Sequence, residues 1–293
     1  MAITSNDRPT RLSTAEIGLR ERLANIWRSR ELLVAFTRTE LKVKYKNSVL
    51  GFMWSMLNPA LYLVVFYVAF DLILGGGIPR FPIYLLSGLL VWNFFTSALN
   101  SGTSSMVAGQ GLVKKVWFPR EVLPLASVGA ALVHFFLQLT VLVAALVLLR
   151  HPVGWSNMPL VPLALLDLVL LAAGLAVLFS VANVYLRDMA HFVELALLAW
   201  FWVTPIVYPF TQLGAALHGH TDIALLNPIT PIVATFQGAF YGGFGKPKPV
   251  IPANLDFMWH LRNLGIVTIG ALVVVAIALR VFSRLEGNLA EEL

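Results

Sequence analysis

The chain has 293 residues, 58% of them hydrophobic and 12% charged, about half the charged share of a soluble domain, so a polytopic membrane protein is the expected class. The net charge of +6 does not point to nucleic acid, because the basic residues gather near the N-terminus and in short connecting segments. With no cysteine, disulfides, thiol chemistry and cysteine metal sites are excluded.

Taken in order, Met1–Glu21 is polar and its start reads as disordered. No apolar run there resembles a signal peptide, so the N-terminus is expected to stay inside. Trp27–Leu50 reads as an amphipathic helix in the headgroup layer, with Leu32, Leu33, Phe36 and Val43 apolar and Arg38, Lys42, Lys44 and Lys46 basic around Tyr45. Glu40 and Lys44 are spaced to pair at i,i+4. Leu41, Val43 and Tyr45 alternate with the lysines at period two, a competing strand signal.

The first span is expected over about Phe52–Leu74, with a kink at Asn58-Pro59. Glycines 75–77 turn the chain outside, and a second span covers about Phe81–Ser101. Asn100–Lys115 is small and polar and returns the chain inside, followed by Trp117-Phe118-Pro119-Arg120-Glu121. Further spans are expected over about Val122–Leu149, Leu160–Leu186, Phe192–Phe210 and Leu261–Phe282. The apolar run Ile223–Phe240 is short and broken by Asn227-Pro228 and Thr230-Pro231, so it reads as a re-entrant or surface hairpin. Six spans with both termini inside place sixteen of the twenty-one Lys and Arg residues on the inner side. The reading is thus an all-α polytopic membrane protein: a cytoplasmic N-terminal segment (1–50), a six-helix transmembrane domain (51–286) and a cytoplasmic tail (287–293).

Catalytic motifs are absent. Gly242-Gly243-Phe244-Gly245-Lys246 fails as a phosphate loop, because Phe240 stands where the first glycine is needed and Pro247 replaces Ser or Thr. His218, His220 and Asp222 lack a further partner and read as a polar external loop rather than a metal site. Among the intramembrane ionisable groups Asp71, Asp167, Glu194 and His134, Asp167 is the deepest, and structural hydrogen bonding is the favoured reading. Trp54, Tyr62, Phe66, Trp200, Trp202 and Tyr208 read as interfacial belts and packing, or more sharply as stacking faces for sugar rings.

Five stretches, VKYKNSVLGFMWSMLNP at Val43–Pro59, LVKKVWFPREVLP at Leu112–Pro124, YLRD at Tyr185–Asp188, TPIVYP at Thr204–Pro209 and Asn227-Pro228, resemble the permease subunit of bacterial ABC exporters for cell-surface polysaccharides (O-antigen, teichoic acid, galactan). The resemblance implies a homodimer of six-helix permeases in the bacterial cytoplasmic membrane, bound to two copies of a separate ATPase that holds ATP and Mg, with no cofactor in this chain. It implies that Lys114, Lys115, Trp117, Phe118, Pro119, Arg120 and Glu121 couple to the ATPase, with Arg187 and Asp188 in a second contact. Arg38, Lys42, Lys44, Tyr45 and Lys46 would belong to the interface helix, against membrane lipids. The six aromatics named above would fall along the channel for a lipid-linked polysaccharide. Rival classes are a proton-coupled transporter or flippase, which would need internal repeats and converging intramembrane charges, and a membrane glycosyltransferase, which would need paired cytoplasmic carboxylates.

Overall fold

The computed structural model describes residues 18–46, 48, 51–73, 78–116, 118–210, 212, 221–242 and 256–293. Among them the chain is helical, with no strand. Helix α1 is Leu19–Arg28 and α2 is Arg30–Tyr45. The amphipathic segment therefore starts earlier than expected, breaks at Ser29 and ends at Tyr45 rather than Leu50. The period-two signal loses: in α2 the half-buried positions Leu32, Leu33, Phe36, Thr37, Glu40, Leu41 and Tyr45 recur every three or four residues. Packing against a neighbouring helix overrides the local strand propensity.

The first expected span is helical from Gly51 to Ile73, but in three parts. A 3₁₀ turn, Gly51–Met53, leads into α3, Trp54–Phe66, which widens to a π-helix over Tyr67–Ile73. The helix continues through Pro59, and the departure from α geometry comes at Tyr67. Helix α4, Phe81–Ala108, continues seven residues past the expected Ser101, through most of the small polar stretch read as a loop. At ~1.5 Å per residue it is longer than a hydrocarbon core of ~30 Å requires. A short α5, Gln110–Val113, precedes α6, Val122–Leu148. Helix α7 is Val161–Tyr185, entered through a 3₁₀ turn at Met158–Leu160.

Helix α8, Met189–Val203, stops seven residues before the expected Phe210. Pro205 is the cause: the residue before a proline is driven out of the α region, and Thr204 is extended at φ −93°, ψ 130°. A 3₁₀ turn, Thr221–Leu226, leads to α9, Ile229–Phe240, whose twelve residues are all buried. That burial excludes the surface hairpin, and ~18 Å of helix is too short to cross a membrane. Helix α10, Phe257–Leu285, is capped by the Asp256 carboxylate, which accepts from the Trp259 amide at 2.8 Å. Among the described residues, four helices are long and apolar enough to cross a membrane: Phe81–Ala108, Val122–Leu148, Met158–Tyr185 and Phe257–Leu285.

The bundle is built on α4, which packs on α6, α7, α8 and α9, while α7 packs on α10. A Cβ at Gly102 would lie 2.6 Å from the Ala176 Cβ, so α4 and α7 meet through a glycine because nothing larger fits. One end of the bundle gathers Met106, Phe118, Leu123, Val181 and Phe282, with Leu32 and Phe36 of α2 packed against them. At the opposite end Phe81, Leu146, Leu160 and Leu264 close around α9. There Arg80 donates to the Leu149 carbonyl at 3.0 Å, and Tyr241 donates to the Pro79 carbonyl at 2.9 Å.

Candidate functional site

The N-terminal helix pair lies across the end of the bundle that carries the Lys114–Glu121 loop. Helix α2 packs on α6: Thr37 donates to the Ala126 carbonyl at 3.3 Å, and Ser127 donates to Glu40 at 2.7 Å. A Cβ at Gly129 would fall 2.8 Å from the Thr37 hydroxyl oxygen, so this crossing is also close. Burial raises the Glu40 carboxyl above its ordinary value, opposed by the Ser127 hydrogen bond and by the charge of Lys44. The carboxylate expected to face Lys44 thus takes its direct hydrogen bond from α6. Of the interface-helix residues, Arg38, Lys42, Lys44 and Lys46 are exposed. Tyr45 turns to the bundle, its hydroxyl 3.1 Å from His134 Nδ1.

Between α2 and the α4–α6 pair opens a cavity of about 570 Å³. Ser97, Ser101, Ser104 and Ser105 of α4 line it, with Glu40, Lys44, Ser127 and His134 opposite. A second cavity of about 150 Å³ shares Lys44, Ser97 and His134 and adds Tyr45, Trp54, Asn93 and Gln138. Asn93 donates to Gln138 at 3.2 Å. The polar positions 93, 97, 101 and 104/105 recur at helical spacing, so they form one stripe, rising ~18 Å along α4. The signal was present in the sequence, but most of it lay in a stretch read as a loop.

The loop after α5 divides into an open and a buried part. Lys114, Lys115 and Val116 are exposed, while Trp117 lies outside the described residues. Phe118 is buried, its ring edge-on to Phe36 at 5.7 Å, and Pro119 is half-buried. Glu121 is buried and paired with Arg22 of α1, which also pairs with Glu286. Burial raises the Glu121 carboxyl above its ordinary value, and Arg22 opposes that only in part. Arg120 donates to the Glu286 carbonyl at 2.9 Å. Arg187 and Asp188, between α7 and α8, are exposed. The Arg22 and Glu286 partners were invisible in the sequence, lying 99 and 264 residues from Glu121 and Arg22 respectively.

The aromatic candidates separate into two groups. Trp54 and Tyr62 on α3 and Trp202 on α8 are exposed. Phe66 meets Phe81 edge-on at 6.4 Å, and Tyr62 lies 6.1 Å from Phe66. Trp200 turns inward: its indole donates to Asn227 Oδ1 at 2.8 Å, and its ring stands edge-on to Phe95 at 5.3 Å. Tyr208 donates to the Trp202 carbonyl at 2.9 Å and accepts at its own carbonyl from Tyr84 at 3.1 Å.

Asp167 is fully buried and accepts from the Thr268 hydroxyl at 2.6 Å, joining α7 to α10. Glu194 is exposed, and the Asp71 side chain lies outside the described residues, as do His218, His220, the Asp222 side chain and residues 243–246. No group of three or more His, Asp or Glu side chains gathers as a metal site among the described residues.

Residues 31–241 match the family model described as ABC-2 type transporter. An O-antigen export system permease protein of Klebsiella pneumoniae is 29% identical over 261 residues, covering 89% of this chain and 94% of the relative. A protein of the same description from Myxococcus xanthus is 31% identical over 216 residues, 74% of this chain and 82% of the relative. A polysialic acid transport protein of Escherichia coli is 23% identical over 214 residues, 70% and 79% of the two chains.

Proposed function

We propose that this chain, which belongs to the ABC-2 type transporter family, is the membrane-spanning subunit of an ATP-driven exporter that moves a lipid-linked polysaccharide out of the bacterial cytoplasm. The relatives whose sequences run beside most of this chain are permeases of O-antigen export, which supports a polysaccharide as the cargo. The observation that carries the reading in this chain is the stripe of hydroxyl and amide groups from Ser105 to Asn93, facing cavities at the basic end of the bundle. Hydroxyl and amide groups lining a cavity offer hydrogen-bond partners to a polar substrate that an apolar wall would not.

In this reading α3, α4, α6, α7, α8 and α10 supply the six spans, both termini lie inside, and α9 is a re-entrant helix at the outer end. Helix α8 then crosses together with the turns that follow Thr204, as irregular backbone can where it is covered by protein. Two copies of the chain, each with an ATPase subunit that holds ATP and Mg, enclose the channel. Trp54, Tyr62, Phe66, Trp200, Trp202 and Tyr208 lie along the channel or its walls, where apolar ring faces hold sugar rings without locking them.

Coupling falls to the open parts of the cytoplasmic loops. Lys114 and Lys115 present charge to the ATPase, and Arg187 and Asp188 make the second contact. Phe118, Pro119, Arg120 and Glu121 form the seat that carries this contact into α1, α2, α6 and the end of α10. ATP binding and release would then bias the bundle between two states through differential contacts at these loops. A proton-coupled mechanism finds less support, because Asp167 is held by Thr268 and a relay needs several such groups along one path.

The test is copurification from the source bacterium together with single-cysteine topology. A tagged chain should bring down an ATPase in equimolar amount, and cysteines placed at Lys115 and Gly287 should react only from the cytoplasmic face. Purification without an ATPase, or labelling of either cysteine from outside, would overturn the assignment.

A further inference from the structure

Three segments far apart in sequence are fastened through one side chain. Arg22 of α1 is only 6% exposed, and its guanidinium reaches Glu121 at the base of the loop and Glu286 just beyond α10. Glu121 is 2% exposed. Arg120 reinforces the join by donating to the Glu286 carbonyl at 2.9 Å, and the Tyr185 hydroxyl donates to the neighbouring Leu285 carbonyl at 2.9 Å. The guanidinium also lies 5.9 Å from the centre of the Phe282 ring.

Stability alone does not explain this arrangement. Desolvating each ion costs several kcal/mol, and well-packed apolar side chains would hold the same segments at least as firmly. What a guanidinium adds is direction, because its planar fork fixes two carboxylates at set positions and angles. Apolar contacts around it, among them Phe118, Phe282 and Leu289, would let the segments slide. With the fork in place, α1, the loop base and the end of α10 hold one relative orientation.

We infer that Arg22 is a positioning residue that makes α1, the Arg120–Glu121 loop base and the C-terminal end of α10 one rigid unit, so that a push on the loop moves the last span directly. The inference rests on the reading of Lys114–Glu121 as an ATPase contact. It gives α1, a helix outside the bundle, a mechanical task. It also supplies a route from loop to α10 that bypasses the length of α6.

The protein's lack of cysteine makes the test clean. The full permease–ATPase complex is reconstituted in proteoliposomes, and glycan exported per ATP hydrolysed is measured beside the amount of bound ATPase. Arg22→Met should leave bound ATPase unchanged and lower export per ATP about tenfold, within the ordinary span of a coupling energy. Arg22→Lys, which keeps the charge but not the fork, should recover only part. Asn25→Cys with Gly287→Cys, joined by a short bis-maleimide, should export as the unbridged chain does, because the segments it ties never separate. A wild-type ratio in Arg22→Met, or export stopped by the bridge, would overturn the inference. Should Arg22→Met fail to accumulate, Glu286→Gln keeps the Arg22–Glu121 pair and is read the same way, a wild-type ratio again overturning it. Failure of the functional reading looks different: the unmodified chain would then bind no ATPase at all.

Discussion

Replacing Asn227 with alanine should loosen the joint between α8 and α9. Its Oδ1 accepts from the Trp200 indole at 2.8 Å and from the Ile229 amide at 3.0 Å, and its Nδ2 donates to the Thr204 hydroxyl at 2.9 Å. Thr204 keeps its own bond to the Trp200 carbonyl, so the truncation orphans two donors, one on a fully buried residue. At about 1–3 kcal/mol per unsatisfied buried group the loss would be about 2–6 kcal/mol. Hydrogen bonds between helices in membranes average nearer 0.6 kcal/mol, since displaced groups find other partners, which brings the lower bound to about 1 kcal/mol. An intermediate loss of about 1–4 kcal/mol is therefore expected. Unfolding in detergent, followed by tryptophan fluorescence, measures it for Asn227→Ala, Trp200→Phe and the pair. Trp200→Phe should cost less than Asn227→Ala, and the double-mutant cycle should show coupling of at least about 0.5 kcal/mol. A loss in Asn227→Ala below about 0.5 kcal/mol, or additive single effects, would refute the argument.

Glu121 gives a pH signature. Burial raises its carboxyl above the ordinary value of 4.5, so the folded chain binds this proton more tightly than the unfolded chain. Its contribution to stability is full below about pH 4.5 and fades as the pH rises through the raised folded value. The stability advantage of the parent over Glu121→Gln should therefore grow as the pH falls; a gap that shrinks on acidification contradicts the burial argument. Gly102→Val should destabilise by about 1–3 kcal/mol through overpacking against Ala176, measured as a lower melting temperature in detergent, and a neutral result would mean α4 and α7 are not in close contact. Lys114→Glu with Lys115→Glu should reduce bound ATPase several-fold with the permease still folded, as truncated charge contacts at interfaces do. Unchanged binding would move the docking surface elsewhere.

The parts of the fold legible in the sequence are those fixed by long uninterrupted apolar runs. Val122–Leu148 and Val161–Tyr185 match the expected boundaries to within a residue or two, because nothing inside those runs competes with helix. Local chemistry misled where a second rule applied. Pro205 ended α8 through its effect on Thr204, and the serines after Asn100 looked like a loop although α4 carries them to Ala108. The three-way join at Arg22 was out of reach for another reason. No period or motif links an arginine in the first helix to a glutamate at the start of α6 and another beyond α10; only the packed bundle brings them together. Likewise Trp200 read as a channel-facing ring, and its indole bond to Asn227 appears only once α9 folds against α8.

The central claim is that ATP on a partner subunit drives a glycan through this chain. It is tested most directly by flux in proteoliposomes containing the purified permease, its copurifying ATPase and the lipid-linked polysaccharide on the outer, cytoplasm-equivalent face. Glycan should reach the lumen only with hydrolysable ATP and Mg, at a rate indifferent to dissipation of the proton gradient. Glycan that crosses without ATP and stops when the proton gradient is dissipated would contradict the account.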